Sequence, residues 1–128
     1  MKELDKYINE TFTSKYMNDA KWLDLFDTLS ENLDEFYVEY KLVNSNDINS
    51  SSFIVSDMPP FFIEPIIYKE VEWIRFPSQY TQTINRRESR KYEKVFSQDI
   101  KQIEELIKSV GKFELDLGNT EIKLYAYK

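Results

Sequence analysis

The chain has 128 residues and a formal net charge of −6, with two glycines, four prolines, no cysteine and no histidine. This length is usual for one domain with its own core, so we predict a single domain over residues 1–128. The missing Cys and His exclude disulfides, thiolate nucleophiles and cysteine zinc sites, together with the commonest general base. We therefore expect no catalytic residues, no metal site and no cofactor, and we favour a protein that is not an enzyme.

The sequence carries no signal for a membrane. No apolar run approaches the roughly 20 residues that cross a bilayer. The N-terminal segment 1–6 mixes both charges and lacks the apolar core of a signal peptide. We expect a soluble, cytoplasmic protein, and the abundance of Lys, Asn, Ile and Tyr is typical of an AT-rich bacterial genome.

Two helical patterns open the chain. Apolar residues at helical spacing predict a short helix over 2–12. A second helix begins at Asn18 or Asp19, either of which can cap it, and runs to about Leu33. Its apolar stripe consists of Trp22, Leu25, Phe26, Leu29 and Leu33.

The middle of the chain is typical of strands. Alternation predicts a first strand over 36–43, a polar loop over 44–52 and a short second strand over 53–56, and residues 61–63 can form an edge piece. The stretch 68–76 is rich in β-branched and aromatic residues, which favours a central strand. Trp73 is interpreted as a packing residue of that strand.

The segment 77–96 gives no clear period. Part of it is either a helix with an exposed basic face or a flexible flap, and the sequence leaves both open. A last helix follows, with Ser97 as N-cap and Gly111 as a left-handed C-terminal residue. Residues 112–117 and 120–127 then form a hairpin around Gly118 and Asn119. The residues expected to point inward are Phe113, Leu115 and Leu117 in its first strand and Ile122, Leu124 and Ala126 in its second.

Strand patterns and helix patterns are grouped along the chain, and they do not alternate. This grouping predicts an α+β fold, with a largely antiparallel sheet of about five strands packed by an N-terminal and a C-terminal helix.

Acidic side chains and tyrosines supply the candidate binding residues. Asp24, Asp27 and Glu31 share one face of the second helix, which is either a solvated face or a docking surface for a basic protein. Glu70 and Glu72 share a face of the central strand; they face water, pair with neighbouring cations, or act together as a carboxylate pair. In the last strand, Tyr125 and Tyr127 lie opposite the inward residues, where they could meet a partner.

A basic run follows the central strand and comprises Arg86, Arg87, Arg90, Lys91 and Lys94. It is the one stretch that could contact nucleic acid. The net negative charge disfavours bulk DNA binding, so we regard nucleic acid as an alternative partner only.

An acid followed by Glu-x-Lys on a strand is the pattern of many Mg²⁺-dependent nucleases. Asp34 precedes Glu39-Tyr40-Lys41, and Glu121-Ile122-Lys123 occurs later. Any strand edge that faces solvent gives the same alternation. A carboxylate-metal phosphodiesterase or nuclease is therefore kept as an alternative function.

Three segments carry a resemblance: Asn18-Asp19-Ala20-Lys21-Trp22, Tyr68-Lys69-Glu70-Val71-Glu72-Trp73-Ile74 and Ile122-Lys123-Leu124-Tyr125-Ala126-Tyr127. Together they resemble a family of short, uncharacterised bacterial proteins with an Asn-x-x-Lys-Trp helix start, a Glu-Trp strand and a terminal aromatic strand. The resemblance covers 18–128, and the basic insert at 77–96 departs from it. It implies a stand-alone domain, similar in style to small immunity proteins that neutralise toxins, and it carries over no catalytic residues.

The leading hypothesis is therefore a small protein that binds another protein. We expect the partner to be basic and the protein to act as an immunity or inhibitor protein, through the acidic residues and tyrosines named above.

Overall fold

The structure, a computed structural model, describes the backbone of residues 2–54, 68–85 and 91–128 and the side chains of residues 3–50, 68–82 and 93–128. The helices in these ranges are α1 (Lys2–Thr11), α2 (Asp19–Asn32) and α3 (Ile100–Val110). The strands are β1 (Glu35–Leu42), β2 (Ile48–Ile54), β3 (Val71–Pro77), β4 (Gln79–Asn85), β5 (Lys91–Ser97), β6 (Glu114–Leu117) and β7 (Glu121–Tyr125). None of the described helices is long and apolar enough to cross a membrane.

Among the described residues, five strands form one sheet in the order β2-β1-β3-β7-β6, and every neighbouring pair is antiparallel. The predicted α+β fold is confirmed, and β3 is the central strand as expected. A 3₁₀ turn over Tyr68–Glu70 precedes β3, so the strand begins three residues later than predicted.

The core lies between the helices and one face of this sheet. The apolar stripe of α2 is buried as predicted, with Trp22 2% exposed and Leu25 fully buried. From α3, Ile103 and Ile107 pack into the same cluster. The sheet contributes Phe36, Val38, Tyr40, Val71, Ile74, Phe76, Ile122 and Leu124. Burial of these side chains is the main stabilising contribution, at roughly 1.5–3 kcal/mol for each large apolar side chain.

The N-cap of α2 agrees with the sequence-based prediction, and the N-cap of α3 differs from it. The Asn18 side chain accepts a hydrogen bond from the backbone N–H of Lys21 at 2.8 Å, so Asn18 is the N-cap. In α3 the N-cap is Asp99, which accepts from the N–H of Gln102 at 3.1 Å. The prediction of Ser97 was wrong because Ser97 ends β5.

Gly111 also differs from its prediction. Its backbone is extended, with φ 164° and ψ −160°, and the left-handed cap expected at this helix end does not form. A Cβ at Gly111 would meet no atom within 4 Å.

Strand β2 begins earlier than the sequence indicates. The predicted loop 44–52 includes residues 48–52 of this strand, which pairs with β1 from Lys41↔Ile48 to Glu35↔Ile54. The serines and asparagines here have low strand propensity, but the free edge of β1 supplies backbone partners and overrides that preference. The edge piece predicted over 61–63 lies outside the described residues, as does the end of the second strand predicted over 53–56.

Within the segment 77–96, residues 79–85 and 91–96 lie in two paired strands, which neither predicted alternative anticipated. Strands β4 and β5 pair antiparallel from Gln79↔Ser97 to Asn85↔Lys91, in a second, two-stranded sheet. Its polar strands hide the period because Gln, Thr and Lys fill positions where apolar residues mark a buried strand.

The C-terminal hairpin of β6 and β7 is confirmed, with Leu117 opposite Ile122. Ile122, Leu124 and Ala126 point inward as predicted. Leu117 was also expected inside, but it is 48% exposed because β6 is the edge strand of the sheet.

Candidate functional site

Three carboxylates lie on the outer side of α2, opposite its buried stripe. Asp24, Asp27 and Glu31 are all exposed. They follow one another at i, i+3 and i+7, so they span about 10 Å along the helix. None of them forms a salt bridge with another described side chain. We call these three residues the acidic face.

Lys21 is the one basic residue of α2, and its ammonium group is engaged outside the helix. Its Nζ donates to the carbonyl oxygens of Tyr16 at 3.1 Å and Lys112 at 3.2 Å, and it lies 5.3 Å from the centre of the Phe113 ring. Lys21 therefore forms no salt bridge with the acidic face. Leu23, 38% exposed, adds apolar surface on the same helix.

Glu70 and Glu72 do not share a position on one strand, so the alternative of a joint carboxylate pair is not the one that forms. Glu70 belongs to the 3₁₀ turn, and only Glu72 is in β3. The Glu72 carboxylate accepts a hydrogen bond from the Lys41 ammonium at 2.9 Å. Of the predicted alternatives, pairing with a cation on a neighbouring strand is therefore the one observed for Glu72. The pairing between β1 and β3 shifts between Lys41 and Leu42, so a bulge occurs at this point.

Tyr127 is turned into the core, contrary to its predicted position on the outer face. The carbonyl of Glu72 accepts from two successive amides, Ala126 at 2.8 Å and Tyr127 at 3.3 Å. This irregularity breaks the alternation of side chains after β7. The Tyr127 ring stacks on Phe12 with 5.4 Å between ring centres, and its hydroxyl donates to the Lys69 carbonyl at 2.9 Å.

Tyr125 keeps the predicted position on the outer face of the sheet. Cations alternate with aromatic rings across this face. Lys123 Nζ lies 4.2 Å from the Trp73 ring centre and 4.9 Å from that of Tyr125, while Lys128 Nζ lies 4.7 Å from Tyr125. Arg75 lies 5.3 Å from Trp73. Trp73 is 6% exposed and so packs as a buried residue, but it does so on this outer face and not in the core beside Val71, where the strand pattern placed it. These rings are already covered by the chain's own cations.

The strand segment Glu39-Tyr40-Lys41, one of the two Glu-x-Lys patterns, is engaged within the chain. Glu39 accepts from Arg75 Nε at 2.6 Å, and Lys41 is engaged by Glu72, so both ends of Glu39-Tyr40-Lys41 are in internal ion pairs. Within the described ranges, no group of three or more acidic side chains is arranged to hold a metal ion.

The basic run is only partly described. Arg86, Arg87 and Arg90 lie outside the described residues. Lys91 opens β5, and the exposed Lys94 sits with its Nζ 5.2 Å from the Phe96 ring centre in the same strand.

Sequence reasoning missed the role of Gln98. Its Oε1 accepts from the Tyr37 N–H at 3.0 Å, while its Nε2 donates to the carbonyls of Tyr37 at 3.0 Å and Pro77 at 2.7 Å. Beside these bonds, the Tyr37 and Tyr80 rings are parallel with centres 3.9 Å apart. Gln98 therefore fixes the base of the β4–β5 hairpin to β1. No signal in the sequence marks a glutamine for this role.

Comparison with known proteins agrees with the resemblance to an uncharacterised family. No curated protein and no solved structure matches the chain. One family model, described as a family of unknown function (DUF6678), matches residues 4–128 and so covers nearly the whole chain. The match carries no link to immunity. The protein belongs to the family of unknown function DUF6678.

Proposed function

We propose that the protein works by binding a basic protein partner through the acidic face of α2, as an immunity or inhibitor protein does. The observation that carries the proposal is the charge of this face. Asp24, Asp27 and Glu31 are exposed, and no described cation pairs with them. Elsewhere in the described structure the chain does pair carboxylates, at Glu39, Glu72 and Glu114.

The geometry suits electrostatic docking. A rigid helix presents three carboxylates in a row, and its other side is anchored in the core by Trp22, Leu25 and Leu29. A single-sign surface of this kind steers an oppositely charged partner and raises its association rate. The exposed Leu23 supplies an apolar contact, which such surfaces need because charges at a rim add little affinity.

The proposal of an inhibitor, and not an enzyme, is supported by the catalytic side chains that the sequence lacks. With no Cys and no His, the sequence offers neither the commonest general base nor a thiolate. Among the carboxylates, Glu39 and Glu72 are held by Arg75 and Lys41. The simplest function for a small protein of this composition is to bind another protein and block its activity. Of the residues first considered for binding, Tyr127 is withdrawn because it is buried, and Glu72 because it is paired.

A capture experiment with matched variants tests the proposal. The tagged protein and the variant Asp24→Asn/Asp27→Asn/Glu31→Gln are each incubated with lysate of the native host, and bound proteins are identified by mass spectrometry. We expect the unaltered protein to retain a basic protein in equal amount to itself. The variant should retain less than about a tenth of it, because three charges are lost from one contact surface.

The control variant Glu93→Gln/Glu105→Gln/Asp116→Asn changes the net charge equally at exposed acids outside α2. It should retain the partner in full. Equal loss in both variants would show that only the net charge matters, and the acidic face would then have no specific role.

A further inference from the structure

A cleft of about 660 Å³ opens between the segment before α2 and the segment after α3. Its walls carry four lysines and a single acid. The lining residues are Lys15, Tyr16, Lys21, Lys108, Gly111, Lys112, Phe113, Glu114 and Leu115. We call it the lysine cleft. It is unexpected in a chain with 23 acidic and 17 basic residues, and its volume falls in the range of about 300–1,000 Å³ that is usual for small-molecule sites.

The positive charge of the cleft is not cancelled by its own carboxylate. Glu114 is paired with Lys128 at 3.1 Å, and that hydrogen bond raises the pKa of Lys128. Lys108 pairs with Glu104 at 3.0 Å. Lys15, Lys21 and Lys112 form no salt bridge with a described carboxylate. Asp5, whose pKa is lowered mainly by its hydrogen bond to Lys69, is also influenced by the charge of Lys15.

Lys21 is held in position at this cleft. Two of the three donors of its ammonium group are used, on the carbonyls of Tyr16 and Lys112. These bonds join the chain before α2 to the chain after α3, and the Phe113 ring lies 5.3 Å from the same ammonium. A cation fixed in this way needs little ordering when a ligand arrives, which favours binding.

The remaining walls are apolar or amphipathic. Phe113, Leu115 and the ring of Tyr16 are partly exposed beside the lysines. Lysine ammonium groups are point charges that suit phosphate oxygens, while an aromatic wall suits a flat apolar group.

We propose that the lysine cleft binds a small ligand in which a phosphate-like dianion is joined to a flat apolar group. The proposal does not rest on the acidic face, because it uses the first turn of α2, the segments before α2 and after α3, and the opposite sign of charge. The ammonium groups of Lys15, Lys21 and Lys112 would contact the dianion, and Phe113 would contact the apolar group.

Phenyl phosphate is a suitable probe, with inorganic phosphate and phenol as its separate halves. Each is titrated into the ¹⁵N-labelled protein while amide chemical shifts are followed. We expect saturable shifts for Tyr16, Lys21 and Phe113 with phenyl phosphate, weaker binding of inorganic phosphate at the same amides, and no saturation with phenol. In Lys15→Gln/Lys112→Gln, the dissociation constant for phenyl phosphate should rise roughly tenfold.

The control is Lys6→Gln/Lys101→Gln, which removes two exposed lysines outside the cleft and should leave the dissociation constant unchanged. Shifts that do not saturate, or equal weakening in both variants, would overturn the proposal. A short single-stranded oligonucleotide that displaced phenyl phosphate and bound more tightly would overturn it in favour of a polymeric ligand.

Discussion

The side-chain amide of Gln98 pairs with the backbone of Tyr37 as a neighbouring strand would. One hydrogen bond runs in each direction, both at 3.0 Å. The described pairing of β1 with β3 ends at Glu39 and Arg75, so Tyr37 lies beyond it. Pro77 has no N–H to donate, and its carbonyl accepts from the same Gln98 side chain at 2.7 Å. Gln98 thus completes the sheet where β3 leaves it and continues toward β4.

Replacing Gln98 should destabilise the fold more than its partial exposure implies. Gln98→Leu removes three hydrogen bonds and leaves the Tyr37 backbone groups unpaired, so we expect a loss of about 1–3 kcal/mol in the free energy of unfolding, measured by urea denaturation. Gln98→Glu keeps the acceptor for the Tyr37 N–H but loses both donors, so it should also be destabilising. Gln102→Leu on the exposed side of α3 is the control; a similar loss there would contradict the role of Gln98.

The stacked pair of Tyr37 and Tyr80 should couple the hairpin to the main sheet. Their ring centres are 3.9 Å apart, and close aromatic pairs contribute about 0.5–1.5 kcal/mol beyond their buried area. A double-mutant cycle with Tyr37→Leu and Tyr80→Leu should give an interaction energy of that size. If the two losses simply add, the rings do not interact energetically.

The elements that could be predicted from the sequence are those with a buried face. The stripe from Trp22 to Leu29 defined α2, and alternation around Val38 and Leu124 defined β1 and β7. A buried face needs an apolar residue at every repeat of the helix or strand, and this leaves a periodic pattern in the sequence. The central position of β3 was readable for the same reason, since Ile74 and Phe76 are fully buried.

Strands made mostly of polar residues were missed. Residues 48–52 are polar and pair because β1 offers a free edge, while β4 and β5 pair with each other outside the main sheet. The inward turn of Tyr127 depends on a single carbonyl, that of Glu72, which accepts two amides. Neither effect leaves a periodic signal in a single sequence.

One of the two candidate sites could be predicted from the sequence, and the other could not. The acidic face was predictable because Asp24, Asp27 and Glu31 follow the helical repeat of α2. The lysine cleft was not, because Lys15 and Lys112 are far apart in sequence and meet only through the packing of α2 against α3.

Two leucines of α2 provide a direct test of the orientation of the helix. Leu25 is fully buried, whereas Leu23 is 38% exposed. Leu25→Ala should lower the free energy of unfolding by about 2–5 kcal/mol, through lost burial and the cavity left behind. Leu23→Ala should cost less than about 1 kcal/mol. Thermal or urea unfolding of both variants measures the difference, and comparable losses would place the acidic face on the wrong side of the helix.

Tyr127 should make stability depend on pH in the alkaline range. Burial is the main cause that raises the pKa of the Tyr127 hydroxyl, followed by the charges of Asp5 and Asp19. The unfolded chain therefore loses this proton first. The buried, protonated hydroxyl of Tyr127 contributes to the free energy of unfolding. This contribution is fully present below the pKa of tyrosine in the unfolded chain, about 10, and is lost as pH rises through the pKa of Tyr127 in the folded protein.

Tyr127→Phe removes the bond to the Lys69 carbonyl, so at pH 7 it should cost about 0.5–1.5 kcal/mol. This cost should shrink above about pH 10, where the unaltered protein loses the contribution and the variant has none to lose. Urea denaturation of both proteins between pH 7 and 11 measures the difference. A cost that stayed constant or grew would contradict the burial of the hydroxyl.

The salt dependence of partner binding tests the central claim most directly. Affinity for the captured partner is measured by titration calorimetry between about 50 and 300 mM salt, for the unaltered protein and for Asp24→Asn/Asp27→Asn/Glu31→Gln. Salt screens exposed charges over a Debye length of about 10 Å at 0.1 M. The account predicts affinity that falls steeply with salt for the unaltered protein, and weaker, nearly salt-independent binding for the variant. Equal affinity and equal salt dependence in the two proteins would contradict it.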